Sequence, residues 1–511
     1  MAKKKNILLI FTDQHRADTL SCYNQDTLCQ TPYIDALTRE SVVFNNAYTT
    51  CPVCSPARSS LMSGSYPSKT GMETNLYQSG CRTHELQDTP YLLSRRLQTV
   101  GYNLGYTGKW HLGLGADKAG SSEGRNVVAQ QVKGFMDSAA YEHYGTLPTD
   151  VGFVGDNFPG HGNGGWTYPQ FHQYLADNNL EVKMINKGNG NRAGDHSTWA
   201  EVVSPIESTI EYYLTQRAID LIDTLTQEDK PFFFALNFWG PHEPFFAPTQ
   251  FLDLYRDMKI PESPSFREDA ASMPKIYELI RRPEQDWSFF ENTLRHYYAC
   301  ISHIDAQIGR LIEHLKVKGL YEDTVIIFAA DHGDNQGCHG GMENKSYSMY
   351  QDTTNIPLFI KPAVADFKGY TQDAFASTCD IYATILDLAG YVPQDAYGFG
   401  DGRPLTRFIE SESKEGWAND IVTEGMGAFD VITTQRMYRQ GQYKYVFNGA
   451  GEDQFFDLQA DPYEMNNLID KEDKQELILN IKNDFADWMS AHGDIARHAF
   501  CKINRIKEWK L

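Results

Sequence analysis

Several side chains able to do chemistry stand at the ends of short apolar runs: two aspartates, an amide, three histidines and a lysine. Asp13 and Gln14 follow "NILLIFT", Lys109 and His111 follow "YNLGYTG", His242 follows "PFFFALNFWGP", and Asp331 and His332 follow "TVIIFAA". Taken singly, each has an ordinary explanation, since an aspartate after a strand commonly caps a turn and a histidine beside proline is commonly a hydrogen-bonded structural residue. Taken together, they offer oxygen and nitrogen donors for a divalent cation, and a mainly oxygen set suits a hard ion such as calcium better than zinc. A lysine among them points to an oxyanion as the ligand. Lys109 and His111 are two apart in "TGKWHLG", so in extended backbone they face one side while Trp110 faces the other, into packing. The plain alternative for that tripeptide is a surface lysine beside a partly buried histidine.

A second candidate is "TTCPVCSPARSS", residues 49 to 60, which admits three readings. The pair Cys51 and Cys54 could be a redox or metal CxxC, but no second CxxC exists and Ser-Pro after the pair does not resemble a thioredoxin-type helix start. Both thiols could be small buried hydrophobes. Or Cys54 opens a C-x-P-x-R segment, with Arg58 four residues on and a helix, "ARSSLMSG", just after it.

The elements that must position these residues read as an α/β fold. Short apolar runs bounded by turn residues alternate with amphipathic helical segments, the pattern of a buried, mostly parallel sheet. Five runs are predicted strands: 6–11, 41–44, 102–107, 231–238 and 324–330. Helices are predicted over "TPYIDALTRE", with Thr31 as N-cap and Pro32 at the first position, over 293–318, and over 378–389. Residues 116–205, rich in Gly and Asn, read as long loops that shape a substrate site. After about residue 405 the texture changes to short alternating strands and a closing helix from 472 to 491. The predicted organisation is a domain over 1–405 and a smaller C-terminal α+β unit over 406–511 with an antiparallel sheet.

With 511 residues and 41% hydrophobic content the chain can bury a large core. Lys plus Arg number 46 against 67 Asp plus Glu, and the resulting charge of −21 argues against a general role on nucleic acid or an anionic membrane surface. An anionic substrate must therefore meet a local cluster of cations. The nine cysteines, an odd number spread thinly, read as reduced thiols rather than a disulfide framework. The apolar run after Lys3–Lys5 is too short for a signal peptide, and no stretch approaches the roughly 20 apolar residues of a membrane span. As written the chain reads as soluble and cytoplasmic, or as periplasmic or secreted if a leader has been removed.

The segment "CSPARSSLMSGSYPSKTGM" resembles the signature of the type I sulfatases of the alkaline-phosphatase superfamily, in which the cysteine of C-x-P-x-R is oxidised to formylglycine. Only Cys54 fits, since Cys51 has Val53 and Ser55 where Pro and Arg are required. "NILLIFTDQHRADTL", "TGKWHLG", "AADHGD", "ENKSYSMYQDTTNIPLFIKP" and "FFDLQADPYEMNNL" resemble family blocks in the family's order and extend the likeness over nearly the whole chain. The resemblance implies an alkaline-phosphatase-like sheet sandwiched by helices and a formylglycine at position 54, made by a maturation enzyme. Its hydrate would attack sulfur and then expel sulfate. The metal ligands implied are Asp13, Gln14, residue 54, Asp331 and His332 around one Ca²⁺. Arg58 would hold the nucleophile, Lys109 and Lys345 would bind sulfate oxygens, His111 would take the proton of the hydrate, and His242 would protonate the departing alcohol.

Two positions depart from many sulfatases: Gln14 replaces a second Asp, and His332 an Asn. That pair, and Asn75 in "METNLY", also resembles the phosphonate and phosphodiester hydrolase branch, whereas Lys109 with His111 is the sulfatase pair. The expected activity is hydrolysis of sulfate monoesters, on a sulfated carbohydrate, with His161, Trp166 and His196 as candidate sugar-site residues. The competing expectations are a phosphonate or phosphodiester hydrolase, an arylsulfatase on small substrates, and a non-catalytic glycan-binding protein. Neither the oligomeric state nor the sulfated position follows from these residues.

Overall fold

A computed structural model of the chain describes residues 4–506 except 77, 84, 114–145, 159, 162, 166–167, 190–196 and 430. Its strands are β1 (Asn6–Thr12), β2 (Val42–Tyr48), β3 (Asn103–Gly108), β4 (Val154–Gly155), β5 (Met184–Asn189), β6 (Ser197–Val202), β7 (Phe232–Asn237), β8 (Phe245–Pro248), β9 (Thr324–Ala330), β10 (Leu358–Lys361), β11 (Tyr370–Ser377), β12 (Asp420–Ala428), β13 (Val431–Gln440), β14 (Tyr443–Phe447) and β15 (Gln454–Asp457). The main sheet has eight strands in the order β11-β2-β10-β9-β1-β7-β3-β4, and β10 alone runs against its neighbours.

Strict alternation explains why the central strands read as unbroken apolar runs. In β1, Ile7, Leu9 and Phe11 enter the core on one face, while Leu8 and Ile10 enter the core on the other. The same division holds for Phe233 and Ala235 against Phe232, Phe234 and Leu236 in β7. Each face is covered by helices. Helices Ile210–Leu225 and Trp287–Val317 pack Leu214, Ile222, Ile304 and Ile308 on one side. On the other, α2 (Cys54–Ser63) and helix Thr378–Leu388 pack Leu61, Ile381 and Ile385. Burying each Leu, Ile or Phe contributes about 1.5–3 kcal/mol, so the sheet centre is a stiff platform.

All five predicted strands and the helices at 32–38, 287–317 and 378–388 form, α1 (Pro32–Thr38) with Pro32 at its first position. Thr31 is the α1 N-cap residue, but its side chain makes no capping bond. The helix over Cys54–Ser63 begins earlier than "ARSSLMSG" predicts, because Pro56 falls in the first turn, where no N–H is needed, and the Ala57 N–H closes that turn on the Val53 carbonyl at 3.2 Å. β10 and β11 also join the sheet; β10 has only four residues, set between Pro357 and Pro362.

The reading of 116–205 as loops needs correction. Of its described part, Pro169–Asp177 is a helix that buries Phe171 and Leu175 at i, i+4. β5 and β6 join β8 in a three-stranded sheet, completed by a parallel pairing of β6 with β8 that lies more than forty residues away in sequence. At the C-terminal end, β12–β15 form an antiparallel sheet of four strands against helix Gln475–His492, through Tyr438, Tyr445, Phe455, Ile481 and Phe485. A further helix, Arg497–Asn504, was not predicted. Among the described residues no helix is long and apolar enough to cross a membrane.

Candidate active site

β9, β1, β7 and β3 are adjacent and parallel, so their carboxyl ends open on one rim of the sheet, where ligands of open α/β folds bind. Pairing of Thr12 with Ala330 sets Asp13 beside Asp331, and pairing of Gly108 with Asn237 sets Lys109 beside the segment leading to His242. Gly108 is needed for this. Its φ is +100°, a Cβ there would lie 1.7 Å from the Asn237 carbonyl oxygen, and the Lys109 N–H donates to that carbonyl at 3.0 Å. Cys54 is the first residue of α2, at the electropositive helix end.

The buried Arg58 guanidinium binds both aspartates, Asp13 through Nη2 at 2.9 Å and Asp331 through Nε at 3.1 Å. Its Nη1 donates to the Lys109 carbonyl at 3.1 Å and to Asn237 Oδ1 at 3.4 Å. Lys109 Nζ lies 2.5 Å from Asp13 Oδ2, 3.5 Å from Cys54 Sγ and 4.6 Å from the centre of the Trp239 ring. Lys345 Nζ donates to Gln14 Oε1 at 2.5 Å and to His242 Nε2 at 2.8 Å, and Gln14 Nε2 donates to Asp334. Gln14 itself has φ +59°, a strained left-handed backbone in which its N–H reaches Asp331 Oδ1 at 3.1 Å.

Asp13, Cys54, Asp331 and His332 each present a ligand atom, all within 4.8 Å of one another and all buried. His332 Nδ1 lies 2.9 Å from the Gly333 carbonyl, which can only accept, so the proton sits on Nδ1 and the Nε2 lone pair, 3.2 Å from Cys54 Sγ, is free to bind an ion. Two carboxylates and an oriented imidazole fit a divalent cation, and Gln14 stands beside them with its amide engaged by Lys345 and Asp334.

The electrostatics are those of a buried site of mixed charge. Burial pushes Asp13 up, but Lys109, His242, Arg58 and His332 outweigh it and hold the carboxyl well below the usual range. Burial and the neighbouring Asp13 raise Asp331 to about 6, against the pull of His332 and Arg58. Burial lowers His111, helped by Lys109, and lowers His242, helped by Lys345. Burial opposes the charge of Lys345, yet Cys54, Asp13 and Asp331 raise it overall.

The remaining candidates arrange around this centre. His111 Nδ1 is buried without a hydrogen-bond partner, and the His111 ring packs on His161 at 4.9 Å. His161 in turn meets Trp239 at 4.3 Å and His242 at 4.8 Å. Asn75 Oδ1 accepts from the Ser55 N–H at 3.0 Å, next to Cys54. Trp166 and His196 lie outside the described residues. Cys51 is buried but is not among the grouped ligands. Sequence reasoning missed Asn237, Trp239 and Asp334. Asn237 is the last residue but one of the predicted strand 231–238, Trp239 directly follows that strand, and Asp334 lies in "DHGD" after 324–330, so strand-end position was a usable signal for all three.

A profile of the sulfatase family matches residues 5–391, and one described as the C-terminal region of N-sulphoglucosamine sulphohydrolase matches 337–490. An ulvan-active sulfatase of Formosa agariphila is 29% identical over 482 residues, covering 93% of this chain and 79% of that protein. A choline-sulfatase of Rhizobium meliloti is 28% identical over 525 residues, covering 99% and 90%. The solved structure of the phosphonate monoester hydrolase of Agrobacterium radiobacter superposes with a TM-score of 0.75 at 22% identity, covering 96% of this chain and 97% of that one.

Proposed function

We propose that this chain, which belongs to the sulfatase family and is a sulfuric ester hydrolase, cleaves sulfate monoesters of carbohydrates with a nucleophile derived from Cys54. The observation that carries the reading is the convergence of Asp13, Cys54, Asp331 and His332 at the head of α2, crossed by Arg58 and flanked by two lysines. The carbohydrate assignment is supported by the ulvan-active relative. The chain is divided at about residue 405, the C-terminal unit carrying its own antiparallel sheet.

Residue 54, if converted to formylglycine, would supply a hydrated aldehyde, one hydroxyl to displace the alcohol at sulfur and the other to release sulfate as the aldehyde reforms. Asp13, Gln14, Asp331 and His332 would hold a divalent cation such as Ca²⁺, which would supply positive charge at the reaction centre. Arg58 keeps both aspartates ionised and apart, and stays protonated in burial. Lys109 and Lys345 bind the non-bridging oxygens, where charge develops in the transition state. The unpartnered Nδ1 of His111 is open to accept a proton from the hydrate.

At the leaving group two hydrogen bonds support a placement of the proton. His242 Nδ1 lies 2.6 Å from the Glu243 carbonyl and so carries a hydrogen, and Nε2 accepts from the Lys345 ammonium. The Lys345–His242 pair, rather than His242 alone, therefore delivers the proton to the departing alcohol.

The test is peptide mass spectrometry across residues 50–69 combined with sulfate release from defined sulfated mono- and disaccharides. Conversion of Cys54 with turnover of a sugar sulfate is expected; a fully converted protein that released no sulfate from any sugar would remove the carbohydrate assignment. Gln14, His332 and the Asn75 bond at Ser55 favour a second reading, a phosphonate or phosphodiester hydrolase. A higher kcat/KM on an aryl phosphonate than on the matching aryl sulfate would select it.

A further inference from the structure

Behind His242 and Trp239 lies a small cavity of about 50 Å³. Its walls come from elements outside the catalytic rim: Phe171 on the helix Pro169–Asp177, Met184 and Val202 on β5 and β6, Phe246 on β8, and Ile210 at the start of helix Ile210–Leu225. Met184 and Val202 are register partners, so they project from one face of the three-stranded sheet into the same space. Two further lining hydroxyls are spent on backbone: Ser208 Oγ donates to the Pro205 carbonyl at 2.6 Å and Thr209 Oγ1 to the Ile206 carbonyl at 2.7 Å. Glu211 also lines it, its carboxyl turned toward His303 Nδ1 at 3.7 Å and raised by burial to about 7.

The position of the cavity relative to the reaction is set by shared residues. His242 lines it and holds Lys345 through Nε2, and Trp239 lines it and carries Lys109 on its ring. A group in the cavity is thus attached on the leaving-alcohol side of the sulfur.

We propose that this cavity is a specificity subsite for an uncharged apolar group on the leaving alcohol. The shared chemistry is a compact hydrocarbon surface, provided either by an alkyl substituent on an aryl leaving group or by the methyl of an acylated or deoxygenated sugar. The inference rests on the reading of His242 as part of the leaving-group acid. An apolar wall of this kind discriminates by about 10–200-fold per methylene-sized difference.

The experiment compares the natural chain with Met184→Trp, which fills the cavity from the half-buried edge strand β5, and Met184→Ala, which enlarges it. Substrates are phenyl sulfate against 4-propylphenyl sulfate, glucosamine 6-sulfate against its N-acetyl form, and 3,3-dimethylbutyl sulfate against its trimethylammonium isostere. In the natural chain the apolar member of at least one of the first two pairs should gain about tenfold or more in kcat/KM, and the pair that gains identifies the source of the group. Met184→Trp should erase that gain and leave the smaller partner within about threefold, while Met184→Ala should tolerate a larger group. Calorimetry of 4-propylphenol and N-acetylglucosamine binding gives a readout independent of turnover. Equal rates within the first two pairs, equal loss on all substrates in Met184→Trp, or preference for the trimethylammonium compound would overturn the proposal. If no substrate turns over, the functional reading fails, and tighter binding of the apolar alcohols by the natural chain than by Met184→Trp still decides the cavity.

Discussion

At the scale of residues, the site is a set of groups whose hydrogen bonds leave them few choices. His242 and Lys345 share one hydrogen bond between ring nitrogen and ammonium, so removing the ring should matter in proportion to how much the leaving group needs a proton. His242→Asn is expected to lower kcat on a sugar sulfate by about 10²–10⁴-fold and on 4-nitrophenyl sulfate far less, since nitrophenolate leaves unaided. A steady-state comparison of the two substrates checks this, and equal losses on both would show that His242 only positions its neighbours. Arg58 is different in kind. Its guanidinium is held by two carboxylates and two further oxygens, so it is part of the frame on which the other groups hang.

At the scale of elements, α2 carries residue 54 at its head and must be held at its tail. It stops at Gly64, φ +72°, where a Cβ would lie 2.4 Å from Tyr382 Cδ1 on helix Thr378–Leu388. Both the left-handed backbone and the contact oppose a side chain. Gly64→Ala is expected to lose about 1–3 kcal/mol of stability, read as a lower denaturation midpoint in urea, with a fall in activity as α2 shifts against the sheet. A midpoint unchanged by the substitution would show that Tyr382 yields at no cost. The residues 169–202 teach a related lesson about elements. Gly and Asn dilute the apolar period of their helix and strands, and β6, besides its hairpin-like pairing with β5, needs β8 from more than forty residues away.

At the scale of the whole molecule, distant segments are tied by buried ion pairs. His339 lies between Glu268, 2.7 Å from Nδ1, and Asp352, 3.3 Å from Nε2, while Arg16 binds Asp352 at 2.8 Å and also reaches the Asp334 and Asn335 carbonyls near the site. Burial lowers His339, but Asp352 and Glu268 prevail and raise it to about 9. A group raised on folding contributes stability that is fully present below its unfolded value, about 6.5, and is lost as pH climbs through about 9. Thermal melts from pH 6 to 10 should therefore show a decline over that window that is shallower in His339→Gln. Parallel slopes in the two proteins would remove the network from the account of alkaline stability.

What the amino-acid sequence determined by itself is the set of reactive types and the strands that carry them. Asp13, Lys109, His242 and Asp331 were legible because a buried central strand must be apolar throughout and must end in polar residues at the rim. C-x-P-x-R singled out Cys54 and Arg58, while the pairing of Cys51 with Cys54 proved incidental to the grouped ligands. Only the tertiary structure decided which groups face one another, because that depends on strand order and register, which no local pattern encodes. It made Asn237, Trp239 and Asp334 part of the site, turned His161 toward three of its rings, and set Lys345 Nζ 2.8 Å from His242 Nε2. It also brought Phe171, Met184, Val202 and Phe246 together behind His242. These residues lie on four elements that meet only when β6 pairs with β8 and the helix Pro169–Asp177 closes over them, so their common cavity had no signature along the chain.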